Sequence, residues 1–484
     1  MPQAALEPIA RLDPVEAWQP WLPDAKQPWN LKWAAHLYRR AAFGATPTEL
    51  KTAVQKGLAA TLQRLFDGDR PDLGNFEQLR ADSGLPVKNE FELRGWWLNW
   101  MMHSTQPLRE KLTLFWHNHF ATSIVKVESV PLMHRQNVLL YKHALGKFGP
   151  FLLEISRDPA MLIWLDSNNN VKGKPNENYA REVMELFSLG VGNYTEKDIR
   201  EAARAFTGWH TEKNDFVFKR ELHDEDVKTV LGQTGKWDGG DIVRVCLEQA
   251  AAPRFLVRKL YRYFISETQT PPDLFLQPLA DRFKKSDYDI ADLVKTMLQS
   301  RHFFSAYAYR QRLKSPVEYI LGAVNALASN PSREANGERE FFRRPDSLIR
   351  PLEAMGQPLF APPNVKGWEF GQSWLNTATV LARANFAQTI ALGGGEPNLE
   401  SRDPTRAAAI ALDPGGAVRR EKISDPPRIV GFFVDLLLQG DINEAARAKL
   451  INFLAEGKLQ GNALDQRMRE AVHAIMNTPE YQLA

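Results

Sequence analysis

Leu108-Arg-Glu-Lys-Leu-Thr-Leu-Phe-Trp-His-Asn-His-Phe120 is the densest polar and aromatic stretch of the chain. At about 100° per residue, a helix places Leu108, Leu112, Phe115 and His119 on one stripe and Glu110, Leu114 and His117 on another. The same rhythm continues outward in both directions. Segments 31–40, 49–66, 89–103, 108–123, 134–147, 151–158, 176–189 and 195–209 read as helices, with Pro or Gly at several of the breaks and Thr195 to Asp198 as a capping box. Strand-like text is scarce. Phe216 and Phe218 alternate within 215–222, and 228–231 follows. The reading is all-α: a large multi-helical single unit with at most one small β-hairpin near 215–231.

The 484 residues carry 61 basic and 58 acidic side chains, a net charge of +3. Charge so evenly balanced argues against dedicated nucleic-acid binding, which needs a concentrated basic surface. One cysteine, Cys246, allows no internal disulfide and no cysteine framework for a metal. No run of about 18 apolar residues is present, so no membrane span is expected. Residues 1–30 are interrupted by prolines and carry charges of both signs rather than a basic segment followed by an apolar stretch, so the expected location is cytoplasmic. Provisional boundaries give a Pro/Trp arm at 1–30, a main helical domain at 31–392, a connecting loop at 393–427 and C-terminal helices at 428–484. A charged, turn-rich surface loop is expected at 326–345.

Four stretches could carry chemistry. In the first, His117 and His119 lie roughly 200° apart on a helix, so they cannot share one metal unless the helix ends between them, and the strong His-x-x-x-His spacing is not present. The letters His-Asn-His also spell a nuclease motif, but that motif needs a ββα metal fold which the helical context does not supply. His119 can equally be a hydrogen-bonded core histidine and His117 a helix-contact residue. In the second, Asn178, Glu182 and Glu185 stand at i, i+4 and i+7, so an amide and two carboxylates share one helical face. A glutamate there that faces a cleft would have its pKa raised by burial and by its neighbour, as a general acid requires. The alternative is a solvated pair, or pairing with Arg181. The third holds Trp209, the adjacent His223 and Asp224, and Lys228; the His-Asp pair can serve acid-base chemistry or cap a turn. The fourth, Ala361-Pro-Pro-Asn-Val-Lys-Gly-Trp368, offers Asn364, Lys366 and Trp368 from a stiff loop that either seals the core or walls a ligand site.

Together these stretches resemble a bacterial family, domain of unknown function 1800. The matching text is His36-Leu-Tyr-Arg-Arg-Ala-Ala-Phe-Gly44, the 108–111 and 116–120 segments, Ser156-Arg-Asp-Pro-Ala-Met161, Pro175-Asn-Glu-Asn-Tyr-Ala-Arg-Glu182, Phe206-Thr-Gly-Trp209, His223-Asp224, Ser315-Pro-Val-Glu318 and Pro362 to Trp368. His210 departs from the Thr or Ser usual there. The resemblance covers roughly 30–484 and implies an all-helical bacterial protein. Such proteins are commonly encoded beside a second uncharacterised family, number 1501, which resembles sulfatases. It supplies no established reaction, so no catalytic residue is carried over from it.

Two functions follow as expectations. The first is an acid-base enzyme, a hydrolase or lyase, with a helix-lined polar cleft for a carbohydrate-like or anionic substrate. Glu182 or Glu185 would act as acid, His117 as base, and Arg181 or Lys228 would hold an anionic group; His119, Asn178, His223, Asp224 and the tryptophans would complete the site. The second is a non-enzymatic helical partner or maturation factor for the sulfatase-like protein, exported with it.

Overall fold

The computed structural model describes residues 7–68, 80, 87–327, 346–392 and 412–484. Most of the loop expected at 326–345, and the part of the expected connection at 393–411, lie outside them. The helices used below are α1 (Leu31–Ala41), α2 (Glu90–His103), α3 (Pro107–His119), α4 (Val130–His143), α5 (Asn178–Glu182), α6 (Glu196–Ala205), α7 (Ala251–Phe264), α8 (Pro316–Leu327), α9 (Thr377–Leu392), α10 (Pro426–Leu438) and α11 (Gly461–Met476).

The opening stretch is α3, and it lies at the centre. Pro107 fits its first turn, where an amide hydrogen has no helical partner. Every residue from Leu108 to His119 is buried, so its polar side chains must find partners inside the protein. Arg109 donates to the carbonyls of Tyr141 and Lys142 in the last turn of α4, at 3.2 and 3.1 Å. Glu110 accepts from Arg80 and from the Trp97 indole of α2, and Trp116 Nε1 donates to Ala144 O at 3.0 Å. Around α3 one continuous apolar core extends from Ile9 and Trp18 to Met476 and Tyr481. The arm is tied to it through Trp18 Nε1, which donates to Phe275 O at 2.9 Å, and through the Trp21 ring, tilted by 30° against Phe304 with centroids 4.3 Å apart.

The β structure consists of two antiparallel hairpins: β1 (Trp209–Glu212) with β2 (Asp215–Phe218), and β3 (Lys228–Val230) with β4 (Gln233–Gly235). Asp215–Phe218 and Lys228–Val230, within the two expected segments, are strands, each paired with its own neighbour in sequence instead of with the other, while Arg220–Leu222 forms a short 3-10 turn. The turns Lys213-Asn214 and Leu231-Gly232 have positive φ at both positions, the geometry whose twist suits a two-residue hairpin. No helix among the described residues is long and apolar enough to cross a membrane.

Candidate functional site

The motifs pair in space. The end of α3 meets the 361–368 loop: Asn118 accepts from Trp368 N at 2.6 Å and donates to Trp368 O at 3.1 Å. Gly367, at φ +81°, lies so close that a Cβ there would stand 2.1 Å from Asn118 Oδ1. Asn364 closes the turn by accepting from Lys366 N at 2.8 Å. Trp368 is thereby buried, while Lys366 is left exposed.

His117 is sealed among the rings of Trp97, Phe360 and Trp368, with centroids 5.2 to 5.5 Å away. Burial pushes its pKa down to about 3, so it is neutral and a feeble base near neutral pH. Among the described residues no hydrogen bond, ion pair or ring contact joins it to Glu182 or His223, and the role of base assigned to it does not fit this enclosure. His119 is a bonded core histidine. The Phe187 carbonyl, 3.1 Å from Nε2, can only accept, so that nitrogen carries the proton and Nδ1 accepts from the Lys259 ammonium of α7 at 2.9 Å. Lys259 also donates to Leu186 O at 3.2 Å.

Those two carbonyls belong to a π-helical turn, Val183–Ser188, that continues α5. Such turns release carbonyls from the α-helical pattern and recur at functional sites. His119 and Lys259 satisfy the C-terminal carbonyls, and burial holds the Lys259 ammonium down to about 7. On α5 and the turn, Glu182 and Glu185 are half-buried neighbours. Glu185 accepts from the Tyr194 hydroxyl at 2.5 Å. Glu182 has no hydrogen bond or ion pair among the described residues, and burial together with the Glu185 charge raises its pKa to about 7, against the opposing pull of Arg181 and Lys366. Arg181 is itself engaged with Glu177 and Glu196 at 3.2 and 2.8 Å. Asn178 is exposed.

The third stretch is a self-satisfied cluster. Asp224 pairs with Arg204 at 2.7 Å, the His223 ring bonds the Thr207 carbonyl at 2.8 Å, and the Lys228 ammonium donates to the carbonyls of Asp224 and Asp226. Trp209 packs against Phe206 and Phe216. These residues close the hairpin onto α6, with every named polar group satisfied inside the cluster. Among the described residues no group of three or more His, Cys, Asp and Glu side chains could hold a metal ion.

The sequence reading therefore names Glu182, Glu185, Arg181 and Lys366, which act on one another, together with His223, Asp224, Lys228 and Trp209, which form their own cluster, and His117, which is enclosed by rings with no hydrogen bond or ion pair to Glu182 among the described residues. It passed over Tyr194 and Lys259. Tyr194 stands nine residues beyond Glu185 and directly before the Thr195 cap, a signal that could have been read; Lys259 gives none, as one basic residue among several in α7.

Fold and site define a mainly helical protein with two small hairpins and a half-buried carboxyl group, at the start of a π-turn, that has no hydrogen bond or ion pair among the described residues. Residues 36–483 match the family described as Protein of unknown function (DUF1800), nearly the whole chain, and the chain belongs to that family. No curated protein and no solved structure matches it.

Proposed function

We propose that the protein is an acid-base enzyme, a hydrolase or lyase acting on a carbohydrate-like or anionic substrate, with Glu182 as the proton-transferring group. The observation that carries this reading is the half-buried Glu182 carboxyl, raised to about 7 and bound to no other group among the described residues. A carboxylic acid in that range can give and take a proton near neutral pH, as general acid catalysis demands. Glu185, held by Tyr194, is the charge that keeps the proton on Glu182, and exposed Lys366 supplies a positive group for an anionic substrate. Purified protein should turn over members of a panel of nitrophenyl glycosides and polyuronides with a pH limb near 7, and Glu182→Gln should abolish turnover while leaving the fold intact. No turnover by the wild type, with Glu182 titrating in the ordinary carboxylate range by NMR, overturns the proposal.

A second reading is favoured by the sealed His117 and the self-satisfied His223-Asp224-Lys228 cluster, which suit polar motifs that fix packing. In it the chain is a helical partner or maturation factor for the sulfatase-like protein of the uncharacterised family 1501 and leaves the cytoplasm on its partner's signal. Co-purification of the two co-expressed proteins supports it. Retention of this chain in the cytoplasm while the partner is exported counts against it.

A further inference from the structure

Three motifs that the proposed site does not use meet in the core: α1 with Arg39 and Arg40, α3 with Lys111, and the start of α8 with Lys314 and Glu318. Ser315 and Glu318 cap each other, Ser315 N donating to Glu318 Oε2 at 2.8 Å and Glu318 N to Ser315 Oγ at 3.3 Å. The other Glu318 oxygen takes the Lys111 ammonium at 2.5 Å and Arg312 at 3.2 Å, and Arg312 also reaches Glu267 at 3.3 Å. Both carboxylates are thus committed.

Among the described residues the remaining buried cations of this core form no ion pair. Arg39, 8% exposed, donates to the Leu437 carbonyl at 2.5 Å. Arg40 donates to the Ala308 carbonyl, and its Nε and Nη1 are buried without a partner. Arg383 donates to Lys314 O at 2.8 Å and to the Gln482 side chain at 3.1 Å. Lys314, 3% exposed, makes no hydrogen bond through its ammonium among the described residues, and that ammonium lies 3.5 Å from the centre of the Tyr481 ring. Among the described residues these four buried cations form no ion pair, and the Glu318 charge that Arg40, Lys314 and Arg383 feel is shared with Lys111 and Arg312, an arrangement that costs several kcal/mol per ion unless it is compensated.

Beside them is a cavity of about 20 Å³, lined among others by Arg39, Phe43, Lys314, Glu318, Leu437 and Tyr481. We infer that this cavity binds one chloride ion, held by the Lys314 ammonium and the Arg39 guanidinium. The space accommodates about one water-sized sphere, which admits a monatomic halide and excludes sulfate or phosphate. A water molecule would fit but would leave the charges unmatched. Glu318 also borders the space, and its charge is already balanced by Lys111 and Arg312. Burial, then Arg39 and Arg383, depress the proton affinity of Lys314; an anion opposes that and keeps the lysine charged. The ion would tie α1 to the start of α8, to α10 through Leu437, and to Tyr481.

Thermal unfolding of the full chain tests this. At constant ionic strength, replacing gluconate by about 100 mM chloride or bromide should raise Tm by about 2 °C or more through mass action, and fluoride less. Lys314→Met should remove the halide response. An equal Tm in gluconate and chloride overturns the inference, and so does a halide response that survives unchanged in Lys314→Met, since the effect then lies elsewhere. If Lys314→Met does not fold, wild-type crystals soaked in bromide decide: an anomalous peak between Lys314 and Arg39 supports the site, and an empty cavity rejects it.

Discussion

Glu182 keeps its proton near neutral pH because two effects act in one direction, loss of hydration and the Glu185 charge, while Arg181 and Lys366 oppose them. The consequence for stability has a definite sign. A folded-state value near 7 against about 4.3 for an unfolded glutamate means that the folded chain binds a proton that the unfolded chain has lost. This group's contribution is therefore full below about pH 4.3 and declines as pH rises to 7. Urea unfolding of Glu182→Gln at pH 5 and pH 8 should show a smaller decline than the wild type, and Glu185→Gln should lower the Glu182 midpoint in an NMR titration. An unchanged decline assigns the pH dependence to other groups. The carboxylate pair was legible because helical spacing alone puts Glu182 and Glu185 on one face. The fate of His117 was not, since the same spacing serves a cleft residue and one enclosed by Trp97, Phe360 and Trp368. Lys259 was invisible for a related reason: its partners, the Leu186 carbonyl and the His119 ring, exist as a set only after the π-turn has packed against α3 and α7.

Among elements, helices were read well because a 3.6-residue period is a local property, and α3 shows its limit. Its stripes predicted a helix but not that all its faces are buried, which depends on α2, α4, α7 and α8 surrounding it. The hairpins were read only in part. Phe216 and Phe218 mark β2, yet the partner strand Trp209–Glu212 has no alternation to announce it, and the turns Lys213-Asn214 and Leu231-Gly232 lack the usual Asn-Gly. The 361–368 loop yields an element-scale prediction. Gly367 and Gly57 both have positive φ, at +81° and +83°, but a Cβ at Gly367 collides with Asn118 while one at Gly57 meets nothing within 4 Å. Gly57→Ala should cost only the conformational penalty, about 1 kcal/mol, whereas Gly367→Ala should cost about 3 kcal/mol and release Lys366 from its position. Equal losses in urea unfolding would mean that the loop yields freely, and Lys366 would then have no fixed place beside Glu182.

Across the whole molecule, the balance of +3 conceals an uneven distribution, since the core at α1, α3 and α8 holds more cations than carboxylates. Composition cannot reveal this, because it depends on which of the charged side chains the motifs at 36–44, 108–111 and 315–318 carry inward. Glu318 is the group on which that core depends. Burial alone would raise its pKa, but Arg312 and Lys111 outweigh burial and hold it well below the usual carboxylate range. Its stabilising contribution is therefore present above about pH 4.3 and is lost as pH falls below it. Glu318→Gln should cost about 3–5 kcal/mol at neutral pH, because, among the described residues, Lys111 loses its only carboxylate and Arg312 one of two. It should also flatten the acid limb of the stability profile. The double variant Lys111→Met/Glu318→Gln separates the pair from its surroundings. Since Lys111→Met removes the ammonium that Glu318→Gln strands, the double variant should lose less than the sum of the singles when each is measured by urea unfolding. Strict additivity would mean that Arg312, rather than Lys111, is the charge that holds Glu318 ionised.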